Sequence, residues 1–401
     1  MSNDELPSLM QIRAFVRVAD LGSVSRACTV LYRAQSVVTR AIADLESRLD
    51  VQLFERHANG MRLTASGERV LQRARRILAE LESIPGLLGQ PGSAPTEPLY
   101  LYQTRRLQLF VKLCETQHMQ TVASLFGLSQ PAVSAALKVL EEGSGRSLFE
   151  RTPRGLQPTR TSLDILFPIR RALNEIRHIA ADLAAMQGAL QGVVQVGALP
   201  LGRTRILPEA IVRLTAEHPG VQVVTNESPF DLLATELRAG DLDFIFGALR
   251  SAQYASDLQG ESLLTEDMVI LARAGHPLLA AEVGCVDLQQ ARWVLPRAGS
   301  PARVLLEACF DSAGMAAPLA TVESGDLAII RGLLLRSDML AAVSAHQLEE
   351  EITSGELCVL PWALHSTTRA IGLTYRTASL HTPAGRALMD AIRAVIREQA
   401  E

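Results

Sequence analysis

A gapless internal repeat constrains this chain more than any other feature. Shifting the numbering by 95 lays Phe15 on Phe110, Gln35 on Gln130 and Val38 on Val133. The same shift lays Leu45-Glu46 on Leu140-Glu141, and Leu53-Phe54-Glu55-Arg56 on Leu148-Phe149-Glu150-Arg151. Gly60 and Thr64 match Gly155 and Thr159, and the trailing segment keeps register, with Leu71 on Leu166, Arg75-Arg76 on Arg170-Arg171 and Leu78 on Leu173. Identities so ordered at one offset mean two copies of one structural unit.

The second copy shows most clearly what that unit is. In the stretch Thr121–Arg154 a short helical pattern ends at Gly127, and Ser129 is placed to cap the next helix. Pro131 falls in that helix's first turn, where a missing N–H costs little. Val133, Leu137 and Leu140 form its apolar stripe, and Gln130, Ser134 and Lys138 lie on another face. Two short helices meeting at a tight turn, the second with a donor-rich face, describe a helix-turn-helix. The basic, turn-rich SLFERTPRGLQPT that follows suits a wing along a phosphate backbone. In the first copy, helices are expected over residues 9–20, 25–31 and 34–49, a wing over 56–63 and a longer helix over 65–81, with Gln35, Ser36, Thr39 and Arg40 on the exposed face of the third.

Between the copies, IPGLLGQPGSAPTEP reads as a linker from its Gly, Pro and Ser content. The second copy's trailing helix, expected over 162–187, carries an apolar stripe of Leu166, Ile169, Leu173, Ile176, Ile179, Ala180 and Leu183 outside any evident core. Such a stripe needs a partner: the first copy's long helix, the same helix of another chain, or both.

Charge divides the 401 residues unevenly. Residues 1–189 hold 23 Arg/Lys against 18 Asp/Glu, a net +5, and the remainder carries −9. A mildly basic front and acidic back fit a polyanion-binding half joined to a part that avoids the polyanion. The five cysteines (Cys28, Cys114, Cys285, Cys309, Cys358) have no metal-site or disulfide-framework spacing, and Cys28 and Cys114 read as small buried fillers. No metal or cofactor is expected. The acidic start MSNDELPSLMQ lacks an apolar signal region and no apolar run reaches membrane-spanning length, so a cytoplasmic protein without a membrane partner is expected.

After Gly188 the pattern changes to strand, helix, strand, helix, strand (192–199, 204–217, 221–227, 229–239, 242–249), the signature of α/β units with a parallel sheet. Further strands are expected near 268–272, 293–295, 321–322, 341–344 and 371–375, and helices at 301–313, 325–334, 346–354 and 383–400. Two lobes fit this length, with a cleft where the chain crosses between them and returns. The loop Pro200–Thr204 is expected before a helix N-terminus, where N–H groups and Thr204 can hold a carboxylate, phosphate or sugar hydroxyl; an ordinary turn is the alternative. No nucleophile, acid–base pair or metal set with convincing spacing supports an enzyme.

These motifs resemble those of LysR-type transcriptional regulators with the N-terminal domain present twice. The family's early Phe, Gln-Pro-Ala-Val-Ser, Leu-Glu-Glu and Leu-Phe-x-Arg pattern is met by Phe110, Gln130–Ser134, Leu140–Glu142 and Leu148–Arg151. The first copy departs, with Ser36-Val37-Val38-Thr39 in place of Pro-Ala-Val-Ser. LPLGRTRILPEAI, LRAGDLDFIFGAL, ARAGHPL and WVLPRAGSPAR are similar to the effector domains of regulators of sugar and aromatic-acid genes. The resemblance implies a multidomain fold. Two winged helix-turn-helix domains (6–84 and 104–160), a linker (85–103) and a linker helix (161–189) precede a two-lobed, periplasmic-binding-protein-like α/β effector domain (190–401; lobe I 190–268 and 365–401, lobe II 269–364).

Function follows as an expectation: a ligand-responsive regulator that binds promoter DNA through both heads. In the alternative, the first head is a structural partner and only the second reads DNA. Candidate DNA contacts are Gln130, Pro131, Ser134, Lys138, Arg151 and Arg154, with Gln35, Ser36, Thr39, Arg40, Arg56 and Arg62 in the first head. Gln130 is suited to adenine or phosphate, Lys138 to guanine or phosphate. Arg40 faces Ala135 across the repeat, so guanine reading there would be private to head one, and Arg56 and Arg151 either contact phosphate or brace the wing. Candidate effector contacts are Leu199, Pro200, Gly202, Arg203, Thr204, Phe246, Gly247, Gly299 and Ser300. Expected partners are double-stranded DNA, a small-molecule effector (a sugar, sugar derivative or aromatic or organic acid), further copies of the chain in a homo-oligomer, and RNA polymerase.

Overall fold

The computed structural model describes residues 6–57, 60–89, 97–153, 155–250, 256–280 and 282–400. They form two compact units, one of residues up to Gly192 with 238–241 and 380–384, the other of the remainder.

In the first unit one order of elements occurs twice. Helices α1 (Leu9–Leu21), α2 (Val24–Leu31) and α3 (Gln35–Leu49) precede the hairpin of β1 (Phe54–His57) and β2 (Gly60–Leu63) and the long α4 (Ala65–Glu82). After the short α5 (Ile84–Leu87) come α6 (Thr104–Thr116), α7 (Met119–Leu125), α8 (Gln130–Ser144), the hairpin of β3 (Phe149–Thr152) and β4 (Gly155–Pro158), and α9 (Arg160–Met186).

The repeated identities each have a structural cause. Phe15 packs on Phe54 with ring centroids 5.3 Å apart, and Phe110 on Phe149 at 5.9 Å. Glu46 Oε1 accepts the N–H groups of Leu53 (2.8 Å) and Phe54 (3.2 Å), and Glu141 does the same for Leu148 (2.8 Å) and Phe149 (3.4 Å). Thr64 and Thr159 end their hairpins by accepting the N–H of Gly67 and Ser162, which caps α4 and α9. Gly60 and Gly155 have φ of +127° and +114° and lie against the carbonyls of Gly22 and Gln117; a Cβ on Gly60 would sit 2.6 Å from the Gly22 oxygen.

A single apolar core runs through both copies, from Leu9 to Leu183. Helices α4 and α9 pack along each other within it. The expected linker departs from a free tether where it is described. Its first turn is α5 with Ile84 buried, and Leu101 and Tyr102 are buried. Glu97 accepts from Arg13 Nε (2.7 Å) and Arg17 Nε (3.1 Å). The apolar LYLY following Pro98 supplies the burial that the Gly/Pro-rich stretch lacks; residues 90–96 lie outside the described residues. Cys114 is buried and desolvation pushes its thiol up to about 12, whereas Cys28 is only half-buried, a correction to its reading as a core filler.

In the second unit β5 (Gln191–Ala198), α10 (Ile206–Glu217), β6 (Gly220–Asn226), α11 (Phe230–Ala239), β7 (Phe244–Ala248) and β8 (Leu258–Glu266) lead to β9 (Met268–Arg273). Then follow α12 (Cys285–Gln290), β10 (Arg292–Leu295), α13 (Pro301–Ser312), β11 (Ala320–Glu323), α14 (Leu327–Arg336), β12 (Met339–Ser344), α15 (Glu349–Thr353), β13 (Leu357–Val359), β14 (Arg369–Arg376) and α16 (Pro383–Ala400). Two five-stranded sheets result, ordered β6-β5-β7-β14-β8 and β11-β10-β12-β9-β13. Both are mixed, which corrects the expected parallel sheet. The β5–β7, β10–β11 and β10–β12 pairs are parallel, whereas β14 is antiparallel to β7 and β8, and β9 to β12 and β13. The reversed strands flank the two crossings between sheets, at β8–β9 and before β14, where the chain enters each sheet from the opposite end.

Candidate nucleic-acid interface and effector site

Helices α7 and α8 meet at 107°, within the range of helix-turn-helix units. Ser129 caps α8 through the Ala132 N–H, and Pro131 sits in its first turn. Val133 and Leu140 turn into the core, which leaves Gln130, Pro131, Ser134 and Lys138 exposed. On α3 the burial of Val38, Ile42 and Leu45 leaves Gln35, Ser36, Thr39 and Arg40 exposed. Arg40 Nε lies 3.8 Å from Asp44 Oδ2, and Lys138 Nζ 3.6 Å from Glu142 Oε1. Solvated pairs of this kind are weak enough to be exchanged for a base edge or phosphate.

On the hairpins Arg62 is exposed opposite Glu55, and Arg151 is exposed opposite Leu156. The backbone of Arg56 pairs with Met61; its side chain, like the whole of Arg154, lies outside the described residues. Sequence reasoning misses Arg33 and Tyr32, both exposed at the turn before α3. The repeat itself holds the signal, since Leu128 and Gly127 stand at the matching positions.

The candidate effector residues occupy the carboxyl ends of β5, β7 and β10, the usual ligand edge of open α/β sheets. Several differ from expectation. Residues Pro200–Gly202 form a 3-10 turn and α10 starts only at Ile206, so exposed Thr204 does not sit at a helix N-terminus; Arg205 holds that place with no side-chain cap. The reason is Arg203, whose Nε donates to the Ala198 carbonyl (2.7 Å) and Nη2 to the Glu227 carbonyl (2.8 Å), fixing the loop as a turn. Phe246, a candidate effector contact, is fully buried, and its ring fills the space that a Cβ on Gly202 would need. Gly247 (φ +142°) likewise lets Leu199 approach, and Leu199 is itself buried. Gly299 adopts φ +74°, and Ser300 caps α13 through the Arg303 N–H.

A charged group at the same edge has no signal in the sequence. Arg369 opens β14 opposite Glu266, next to Ala370 whose carbonyl accepts the Leu249 N–H, and its buried Nε has no hydrogen-bond partner among the described residues. Burial pulls its guanidinium below the ordinary value. Glu266 is buried with Ser344 donating to it and His346 Nδ1 3.2 Å away. No His/Cys/Asp/Glu group among the described residues is arranged to hold a metal.

The comparisons identify both parts. The model for the lysR-family bacterial regulatory helix-turn-helix protein matches residues 9–68 and again 104–162, and that for the LysR substrate binding domain matches residues 187–397. The chain belongs to the LysR family. It is 70% identical over its whole length to the whole of the HTH-type transcriptional regulator GalR of Pseudomonas putida. It is also 31% identical to PcaQ of Agrobacterium fabrum over 72% of this chain and 93% of that one. Among solved structures it is similar to a full-length, singly substituted OxyR from Pseudomonas aeruginosa (23% identity, 74% of this chain and 94% of that one, TM-score 0.56). Full-length CbnR complexed with its target DNA is a comparable match (20% identity, 73% and 99%, TM-score 0.54). This LysR-family chain is thus a DNA-binding transcriptional regulator with a ligand-binding domain, and the families and relatives it matches are not enzymes. Among the described residues no single helix is long and apolar enough to cross a membrane.

Proposed function

We propose that the protein binds promoter DNA through two tandem winged helix-turn-helix heads in one chain, under control of a small anionic effector. One observation carries the first part: α3 and α8 each bury one stripe and expose a donor-rich face on the same frame. The two matches to the family helix-turn-helix agree, and PcaQ aligns nearly end to end while leaving about a quarter of this chain unmatched. The faces are not equivalent. Head one offers Arg33 and Arg40, suited to guanine O6 and N7, where head two offers Leu128 and Ala135. Exposed Pro131 and Ala132 suit thymine methyls instead. The site should therefore have unlike halves.

Binding-site selection from random duplexes at one fixed salt tests this. Gln35→Ala with Arg40→Ala should erase one half of the selected site, and Gln130→Ala with Ser134→Ala the other. An intact site after the first pair of changes would make head one a structural partner. For the effector, the buried and unpartnered Nε of half-buried Arg369 favours an aromatic or organic acid over a neutral sugar. Effector closure of the lobes would change how subunits of a homo-oligomer space their heads, and so polymerase access, in the cytoplasm. Footprints identical with and without saturating effector would exclude that mechanism.

A further inference from the structure

We propose that α4 and α9 pair with each other inside one chain and are selected against pairing with their own kind, so that each chain carries a closed two-headed unit. The proposal rests on the two heads being paired, not on both of them reading bases.

The 95-residue offset shows the pairing to be pseudo-symmetric. It lays Arg76 on Arg171 and Glu80 on Glu175. Arg76 Nε donates to Glu175 Oε1 at 2.8 Å, and Arg171 Nε and Nη2 donate to the two Glu80 oxygens at 2.7 Å each. The two ion pairs are exchanged by the operation that relates the heads, the hallmark of a two-fold interface. At its other contact Thr104, the counterpart of Leu9, accepts the Leu9 N–H (3.1 Å) and donates to the Pro7 carbonyl (3.0 Å). A residue that meets its own counterpart lies beside the axis. One chain thus makes with itself the contact that two identical chains would make.

Arg73 breaks the equivalence. It is fully buried, with Nε 2.7 Å from Asp182 Oδ2, Nη2 3.1 Å from Asp182 Oδ1, and Nη1 on Glu175. Arg69 Nη2 reaches the same Asp182 at 3.2 Å. The counterparts of Arg69 and Arg73 are Asp164 and Pro168, and the counterpart of Asp182 is Leu87. Two copies of α9 paired in this register would set buried Asp182 against Asp164 and Pro168, a carboxylate facing a carboxylate whose one cation, Arg160, is solvent-exposed and already paired with Asp164 at 3.1 Å. Two copies of α4 with the α5 that follows it would offer Arg73 Glu80 and Leu87, losing the two-oxygen grip of Asp182. Leaving a buried charge unpaired is strongly unfavourable, so only the mixed pair satisfies the cluster. The connection then settles which α9 is used: Glu97 and Tyr102 dock the connecting segment within the same core, which keeps the partner helix at high effective concentration. A second chain therefore adds another pair of heads rather than completing the first.

Cross-linking of the full chain tests this. Glu80→Cys and Arg171→Cys are placed in one chain, or singly in two differently tagged, co-expressed chains, and treated with a short bis-maleimide beside the unsubstituted protein. The expected result is a cross-linked species of single-chain mass from the double variant, and no tag-to-tag cross-link from the co-expressed pair. Tag-to-tag product, or no cross-link in the double variant, overturns the proposal. Adding Arg73→Met should lower the single-chain product several-fold, and Arg73→Met with Glu175→Gln and Asp182→Leu should restore it. An unchanged yield with Arg73→Met alone removes the ion cluster as the selector. DNA selection by either head does not enter these outcomes, so failure here and failure of the two-reader function are separable.

Discussion

The two heads share the contacts that brace their frame and little of what they show to solvent. Val38 and Val133, Leu45 and Leu140, the Phe15–Phe54 and Phe110–Phe149 contacts, and the Glu46 and Glu141 carboxylates are the same parts in the same places. On the exposed faces Ser36, Arg40, Ala43 and Asp44 stand where Pro131, Ala135, Lys138 and Val139 stand in the other head. The first set is buried or braces the hairpins, and the second faces solvent, where a partner rather than the core can meet it.

The sharpest way to break that comparison is to remove the shared brace from one head at a time. Glu46→Ala and Glu141→Ala each strip two strand N–H groups of a charged acceptor, and each should cost about 2–3 kcal/mol. Denaturant unfolding followed by fluorescence or circular dichroism would measure it. Equal losses confirm that the frame is one frame used twice. A loss confined to Glu141→Ala would mean that head one leans on its neighbour for its stability.

The brace also illustrates what the sequence can and cannot show. The Leu-Glu repeat is visible, but a carboxylate facing the start of a strand eight residues on depends on how the chain turns between them. Helix periodicity places α1 to α4 and α9 to within a residue or two, together with the end of α7 and the start of α8. It does not say which helix covers which, because the partners of Arg73 and Asp182 lie more than a hundred positions apart. In the second unit β8 carries little strand signal because LQGESLLTE, at a sheet edge, is half polar and interrupted by Gly260. Mixed sheets escape the α/β pattern because strand direction is set by where the chain crosses, not by composition. Exposed faces on α3 and α8 are legible from the 3.6-residue period. The effector turn is not, since its shape depends on the Arg203 guanidinium meeting two distant carbonyls.

A smaller asymmetry lies in the paired helices, where His178 of α9 corresponds to Ser83, the C-cap of α4. Burial first, then the nearby Arg73 guanidinium, lowers the His178 imidazole to about 4, against the opposing pull of Glu175 and Asp182; Arg177 adds to the lowering. The folded state therefore binds fewer protons than the unfolded one between about pH 4 and the ordinary histidine value near 6.5. Stability should be flat above that window and fall as pH drops through it, by on the order of 1–2 kcal/mol, because the residue as a whole is only half-buried. His178→Gln should flatten this limb of a Tm-against-pH curve. An unaltered limb would assign the acid sensitivity to carboxylates instead.

The smallest effect tests whether α3 and α8 are equally well made. Ser129 caps α8, but its counterpart Ala34 begins α3 with no side chain to receive the first N–H groups. Ala34 already has the extended backbone of a capping residue, φ −64° and ψ 149°, close to the −81° and 152° of Ser129. Ala34→Ser should therefore form the missing cap without moving the chain and add about 1 kcal/mol, and Ser129→Ala should remove about as much. Hydrogen exchange of the first-turn amides reads each end separately. Protection gained in α3 by Ala34→Ser would show that head one holds α3 more loosely only for want of a hydroxyl. If exchange there does not slow, the loose start belongs to the Ser36-Val37-Val38-Thr39 sequence itself, and α3 and α8 differ in stiffness as well as in surface chemistry.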